Sequence, residues 1–141
     1  MRKFGWFLLA AVVAASSINL LAVNEKPSDA MKAVMAANAA ANADVRAAAK
    51  ANDFAKAATV VGTYLTNFAY IDAYFMHKGV PAAATIAQNG TKAAMQLEAA
   101  VMKKDAAALE KAIAGVTGTC GGCHKQFREQ LPDKTYEIKL P

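Results

Sequence analysis

The sequence predicts an all-α protein folded as an antiparallel four-helix bundle, on three observations. Alanine, the residue with the best helix propensity, dominates the chain. Apolar residues recur at spacings of three and four through successive segments bounded by proline, glycine and aspartate. Alternating β-branched runs, the mark of strands, are nearly absent. A chain of 141 residues holds one domain with a core and is short for two.

The start, MRKFGWFLLAAVVAASSINLLAV, sets Arg2 and Lys3 before an apolar run broken only by Ser16, Ser17 and Asn19. This is the layout of an export signal, with cleavage expected near Ala22: residues 1–22 as signal peptide and 23–141 as the functional domain. Leu20 and Ala22 fit the small-x-small cleavage rule loosely, so an uncleaved anchor helix is the competing expectation, roughly 20 apolar residues being enough to span a bilayer. Either way the domain lies outside the cytoplasm, in the periplasm, and meets a membrane only if the leader is retained.

The first helix is expected to open near KPSDA, with Pro27 early, Asp29 in the first turn and a stripe of Met31, Val34, Met35 and Asn38. ANADVRAAAKAND reads equally as its continuation or as a turn. The second is capped by Asn52 or Asp53, carries Phe54, Ala58, Val61, Leu65, Phe68 and Phe75, and stops at Gly79 and Pro81. Tyr64, Tyr70, Tyr74 and Asp72 are expected around it with one face wet, and His77 in its last turn, where a cation is favoured. The third follows Pro81 with Ile86, Ala94, Leu97 and Val101 on one side; QNG at 88–90 marks fraying or a late start, and Lys103 and Lys104 suit its C-terminal dipole. Met76, Met95 and Met102 are assigned to packing or surface. The fourth opens at Asp105 and carries Leu109, Ile113, Val116, Cys120, Cys123, Phe127 and Leu131, with Pro132 as its stop.

The chemistry lies in GTCGGCHKQFRE, residues 118–129. A disulfide suits an oxidising compartment. A redox dithiol normally sits at a helix N-terminus, whereas this pair comes several turns into a helix. A four-ligand metal site lacks ligands, since His77 is the other histidine. Cys-x-x-Cys-His is the attachment sequence of c-type haem. Residues three and four apart share a helix face, so Cys120 and Cys123 can each form a thioether to a haem vinyl group while His124 presents its imidazole to the iron. Gly121 and Gly122 either let a planar ligand approach bare backbone or mark a bent last helix.

The formal charge of +5 includes Arg2 and Lys3, leaving about +3 on the rest. Scattered lysines without interleaved aromatics do not indicate a nucleic-acid footprint. No base, nucleophile or oxyanion constellation supports an enzyme.

On CGGCHKQFR, the preceding KKDAAALEKAIAGVTGTC and the KPSDAMKAVMAAN first helix, the chain resembles the cytochrome c-prime family, the class II c-type cytochromes. The resemblance implies a four-helix bundle holding one covalent haem c between the first and last helices, an exported electron-transfer or gas-binding role, and often a homodimer. By position, Cys120 and Cys123 look like the thioether residues and His124 like the proximal ligand. Phe127 would pack on the haem and Arg128 pair with a propionate. MKAVMAAN is similar to the first helix of the low-spin members, which puts Met35 at the sixth iron position. Met31 stands where those members carry arginine, and is the runner-up ligand; an iron without a sixth protein ligand is the remaining arrangement.

A Met/His pair raises the reduction potential and suits a one-electron carrier meeting redox partner proteins. Lys125 and Arg128 would steer an acidic partner at the haem edge. The alternative is a five-coordinate binder of NO or CO, and a more distant one a Cys-x-x-Cys thiol-disulfide protein. The tail LPDKTYEIKLP, residues 131–141, is longer than in many relatives and is assigned no role.

Overall fold

The computed structural model describes residues 23–140. The expected signal or anchor segment, 1–22, lies outside the described residues. Four long helices, α1 (Asp29–Lys50), α3 (Val61–His77), α4 (Pro81–Lys103) and α5 (Ala106–Phe127), form the bundle, with a six-residue α2 (Phe54–Thr59) ahead of α3. Two short strands follow, β1 (Arg128–Gln130) and β2 (Tyr136–Ile138), paired antiparallel. Among the described residues no helix is long and apolar enough to cross a membrane.

Helix ends follow local chemistry. Ser28 caps α1 by accepting from the Met31 amide at 3.1 Å, with Asp29 in the first turn as expected and Pro27 just ahead of the helix. Asp53 and Asp105 cap α2 and α5 in the same way, as expected. Asn52, Gly79 and Lys104 all turn left-handed, with φ of 52°, 71° and 51°. Each is followed by an amide that reaches back to the last turn: Asp53 to Ala48, Val80 to Phe75 and Asp105 to Ala100. Glycine supplies this conformation without strain at 79; asparagine and lysine accept it at the other two helix ends. These closures give two- and three-residue connections, which fold consecutive helices back on one another.

α1 runs unbroken to Lys50, so ANADVRAAAKAND is mostly helix and not a turn. The expected second helix is interrupted at Val60, where α2 ends and α3 begins. Ala57, not Ala58, faces inward there. QNG lies inside continuous α4: Gly90 is buried, and the Phe68 ring occupies the space a side chain would take. Tyr64 is fully buried instead of ringing a wet face, while Tyr70 and Tyr74 are half-buried. α5 ends at Phe127, before Pro132, because Arg128 adopts extended backbone and starts β1. Met76, Met95 and Met102 are exposed, as is His77 at the end of α3.

α4 packs along both α3 and α5, and α1 crosses α3 and α5 more lightly. The core is therefore densest around Leu97, Leu109, Val116, Ala94 and Phe68. Where α1 faces α5, side chains leave a cleft.

The segment before α1 is tied to the bundle by Glu25. Its backbone bridges Ile138 in both directions, at 3.0 and 2.8 Å. Its carboxylate accepts from Lys78 at 2.6 Å and from the Tyr74 hydroxyl. The Lys78 bond, then the Tyr74 bond, hold the carboxyl below its usual range against a smaller opposing effect of burial. A group with a depressed folded pKa contributes stability above its unfolded value and loses it as pH falls through the folded one. Acidification from neutral pH through and below the ordinary carboxylate range is therefore expected to loosen this tie. Glu25→Gln should remove that part of the pH dependence, at a cost under about 1 kcal/mol for a pair near the surface. Urea unfolding of both proteins at pH 7 and pH 3 checks it: the difference between them should shrink in acid.

Candidate haem site

α5 presents Cys120, Cys123, His124 and Phe127 on the side turned toward α1. They are half-buried: the stripe that is core at Leu109, Ile113 and Val116 becomes the wall of a cleft in the last two turns. An apolar cavity of about 410 Å³ lies between Met31, Met35, Ala36 and Ala39 of α1 and Cys123, His124 and Phe127 of α5. Phe75 of α3 also lines it, and the Phe75 and Phe127 rings meet at 5.8 Å between centroids. A second cavity, about 250 Å³, reaches deeper past Asn38, Asn42, Phe68, Ile71, Thr119 and Cys120. Met35, Ala39, Cys123 and His124 line both.

The sequence-assigned residues thus come together: both cysteines, His124, Met35, Met31, Phe127 and Arg128 all border this cleft. Met31 is buried and borders the larger cavity, whereas half-buried Met35 stands between the two. His77 does not join them; it is exposed in the last turn of α3 and lines neither cavity. Among the described residues there is no cluster of three or more His, Cys, Asp or Glu able to hold a metal ion alone.

Both cysteines are free thiols. Burial pushes the Cys123 thiol up to about 11, with the nearby Cys120 adding to it, and burial also raises Cys120. A redox dithiol needs the opposite, a thiolate favoured near neutral pH. Burial, then the charge of Arg128, pushes the His124 imidazole down, which keeps it in the neutral form that binds metals. The Tyr64 hydroxyl is wholly buried and has no hydrogen-bond partner among the described residues; burial, then the charge of nearby Cys120, raises its pKa. Asn38 and Asn67 are buried too, but the Asn67 amide donates to Asn38 Oδ1 at 2.9 Å and also to the Val34 carbonyl.

This donor set fits a covalently tethered planar cofactor: two thiols and an imidazole on one helix, facing an apolar cleft with a thioether sulfur on its other wall. An added Cβ at Gly118, Gly121 or Gly122 would meet no atom within 4 Å, and α5 is neither frayed nor broken at them. The protein structure itself supplies no packing reason for glycine there.

Sequence reasoning missed Tyr136, Glu137 and Ile138, which line the larger cavity from β2. The signal was present in PDKT followed by the alternating Tyr-Glu-Ile, a turn leading into a strand.

A helical bundle with Cys-x-x-Cys-His on its last helix, facing an apolar cleft, is the arrangement that would suit a helical c-type haem protein. The family model described as Cytochrome C' matches residues 80–128, which span α4, α5 and the whole motif. The match makes α4 and α5 similar to the cytochrome c-prime family, and that family implies a haem c cofactor. No curated protein and no solved structure matched the chain.

Proposed function

We propose that the protein is a periplasmic one-electron carrier with a single haem attached covalently through Cys120 and Cys123, His124 and Met35 being the axial ligands. The observation that carries this reading is the shared wall: Met35 and His124 both stand at the junction of the two cavities. Met31 borders only the larger cavity among the two, which favours Met35 as the sulfur ligand. When bound, haem supplies one-electron chemistry at its iron.

The chain's residues do the rest. The cysteines fix the cofactor's position by covalent bonds, so orientation does not depend on binding equilibrium. His124 offers a neutral nitrogen, and Met35 a soft thioether that favours the reduced state. Phe75, Phe127 and Ile138 exclude water, lowering the local dielectric. Exposed Lys125 and Arg128 beside the cleft suit an acidic redox partner and would make association fall with salt.

The reading is tested on exported protein. A c-type haem spectrum that survives acid-acetone extraction supports it, and its absence overturns it. Ferric and ferrous spectra then separate six-coordinate low-spin iron, expected here, from the five-coordinate high-spin iron of an NO or CO binder. Met35→Ala is expected to convert the first to the second and lower the midpoint potential; an unchanged spectrum excludes Met35 as ligand.

A further inference from the structure

The C-terminal tail, without a role in the sequence, is built into the cleft. After β1 the chain turns at Leu131–Thr135, with Lys134 left-handed at φ 66° and the Asp133 carboxylate accepting from the Thr135 amide at 2.9 Å and hydroxyl at 2.6 Å. β2 then pairs Tyr136 with Gln130 and Ile138 with Arg128. The hairpin is pinned from outside by the Glu25 bridge and by the Lys139 amide, which donates to the Phe127 carbonyl at 3.0 Å.

Side chains alternate across a strand, so Arg128, Gln130, Tyr136 and Ile138 share one face of the ribbon. Arg128, Tyr136 and Ile138 all border the larger cavity. The Arg128 guanidinium lies over the Tyr136 ring, 4.4 Å from its centroid, across the ladder diagonal. Glu137 also borders the cavity, yet among the described residues Arg128 makes no ion pair. A cation without a carboxylate is thus held at the rim of a mostly apolar cavity, on an aromatic platform that limits where its long side chain can go.

We propose that the hairpin is part of the cofactor site, with Tyr136 as a positioning residue that holds Arg128 against an anionic edge group of the cofactor, a haem propionate. Ile138 completes the apolar wall beneath it. The proposal rests on the haem reading above and goes beyond it in giving the tail a function. Without Tyr136 the guanidinium is free to swing into solvent. The propionate then loses its neutralising neighbour, and the more positive ferric iron is favoured.

The test is the midpoint potential of the haem-loaded full chain at pH 7. Tyr136→Phe keeps the ring and should match the wild type. Tyr136→Ile and Tyr136→Thr keep strand-favouring residues without a π face; both should lower the potential, by the same shift as Arg128→Gln. The double variant Tyr136→Ile, Arg128→Gln should fall no further than Arg128→Gln alone, because the two residues act as one unit. A wild-type potential in Tyr136→Ile and Tyr136→Thr, or additive shifts in the double variant, would overturn the proposal. So would lowered potentials in the Tyr136 variants with an unchanged Arg128→Gln, since the hairpin would then merely seal the cleft. Failure of the haem reading is seen earlier and separately, as wild-type protein that retains no haem after extraction.

Discussion

Replacing Cys120 and Cys123 together by alanine is expected to abolish haem retention through acid-acetone extraction while leaving the helical circular dichroism of the chain unchanged. The two thiols are the cofactor's only proposed covalent tethers, so the loss should be complete. The fold should survive because its densest packing joins α3, α4 and α5 around Leu97, Leu109 and Val116, and the half-buried cysteines only flank that core. Alanine is also the better helix former, offsetting part of the small loss of burial. Either single variant should keep a haem that resists extraction through its remaining thioether. Retention of haem in the double variant would mean that the attachment runs through other residues. Loss of helix in it would mean that the cleft, and not the α3–α4–α5 packing, dominates stability.

Gly90→Ala should destabilise the chain by about 1–2 kcal/mol, although alanine in an exposed helix interior would stabilise by roughly 1 kcal/mol. The reason is local. A Cβ built at Gly90 would overlap the Cδ1, Cε1 and Cζ atoms of Phe68, whose ring is itself buried and cannot swing into water. Either the ring leaves its rotamer or α3 and α4 move apart, and the two helices are packed along their length. Gly90→Val should cost about 3 kcal/mol or more, adding a branched side chain to the same overlap. Urea unfolding would read both as lower midpoints at unchanged slope. Adding Phe68→Leu to Gly90→Ala should cost less than the two single changes summed, since relief of the overlap couples them. A Gly90→Ala protein as stable as the wild type would show that the ring has room to yield.

The same glycine shows where sequence reading runs short. QNG in an alanine-rich segment suggests fraying when only local propensity is weighed, because the Phe68 ring that occupies the space lies 22 residues earlier in the chain. Periodicity located the helices well because an amphipathic stripe is a property of one segment. It could not separate core from cleft: Val116 and Cys120 continue one stripe, but only Val116 is covered by the facing helices. Tyr64 went astray for the same reason. Its hydroxyl argued for a wet face, whereas the packing buries it without a partner.

By itself the sequence determined the helical class, the Asp105 cap, the Gly79 stop and the Cys-x-x-Cys-His motif, and narrowed the α2 cap to Asn52 or Asp53, since each depends on residues within a few positions of one another. Tertiary structure decided what stands opposite that motif. It brought Met35 and Met31 of α1 to the wall facing His124, and folded the tail back so that Tyr136 and Ile138 border the same cavity as Arg128. Cavities and their walls arise from how separate helices pack, and no local pattern of propensity or period encodes which distant side chain fills, or leaves open, the space between them.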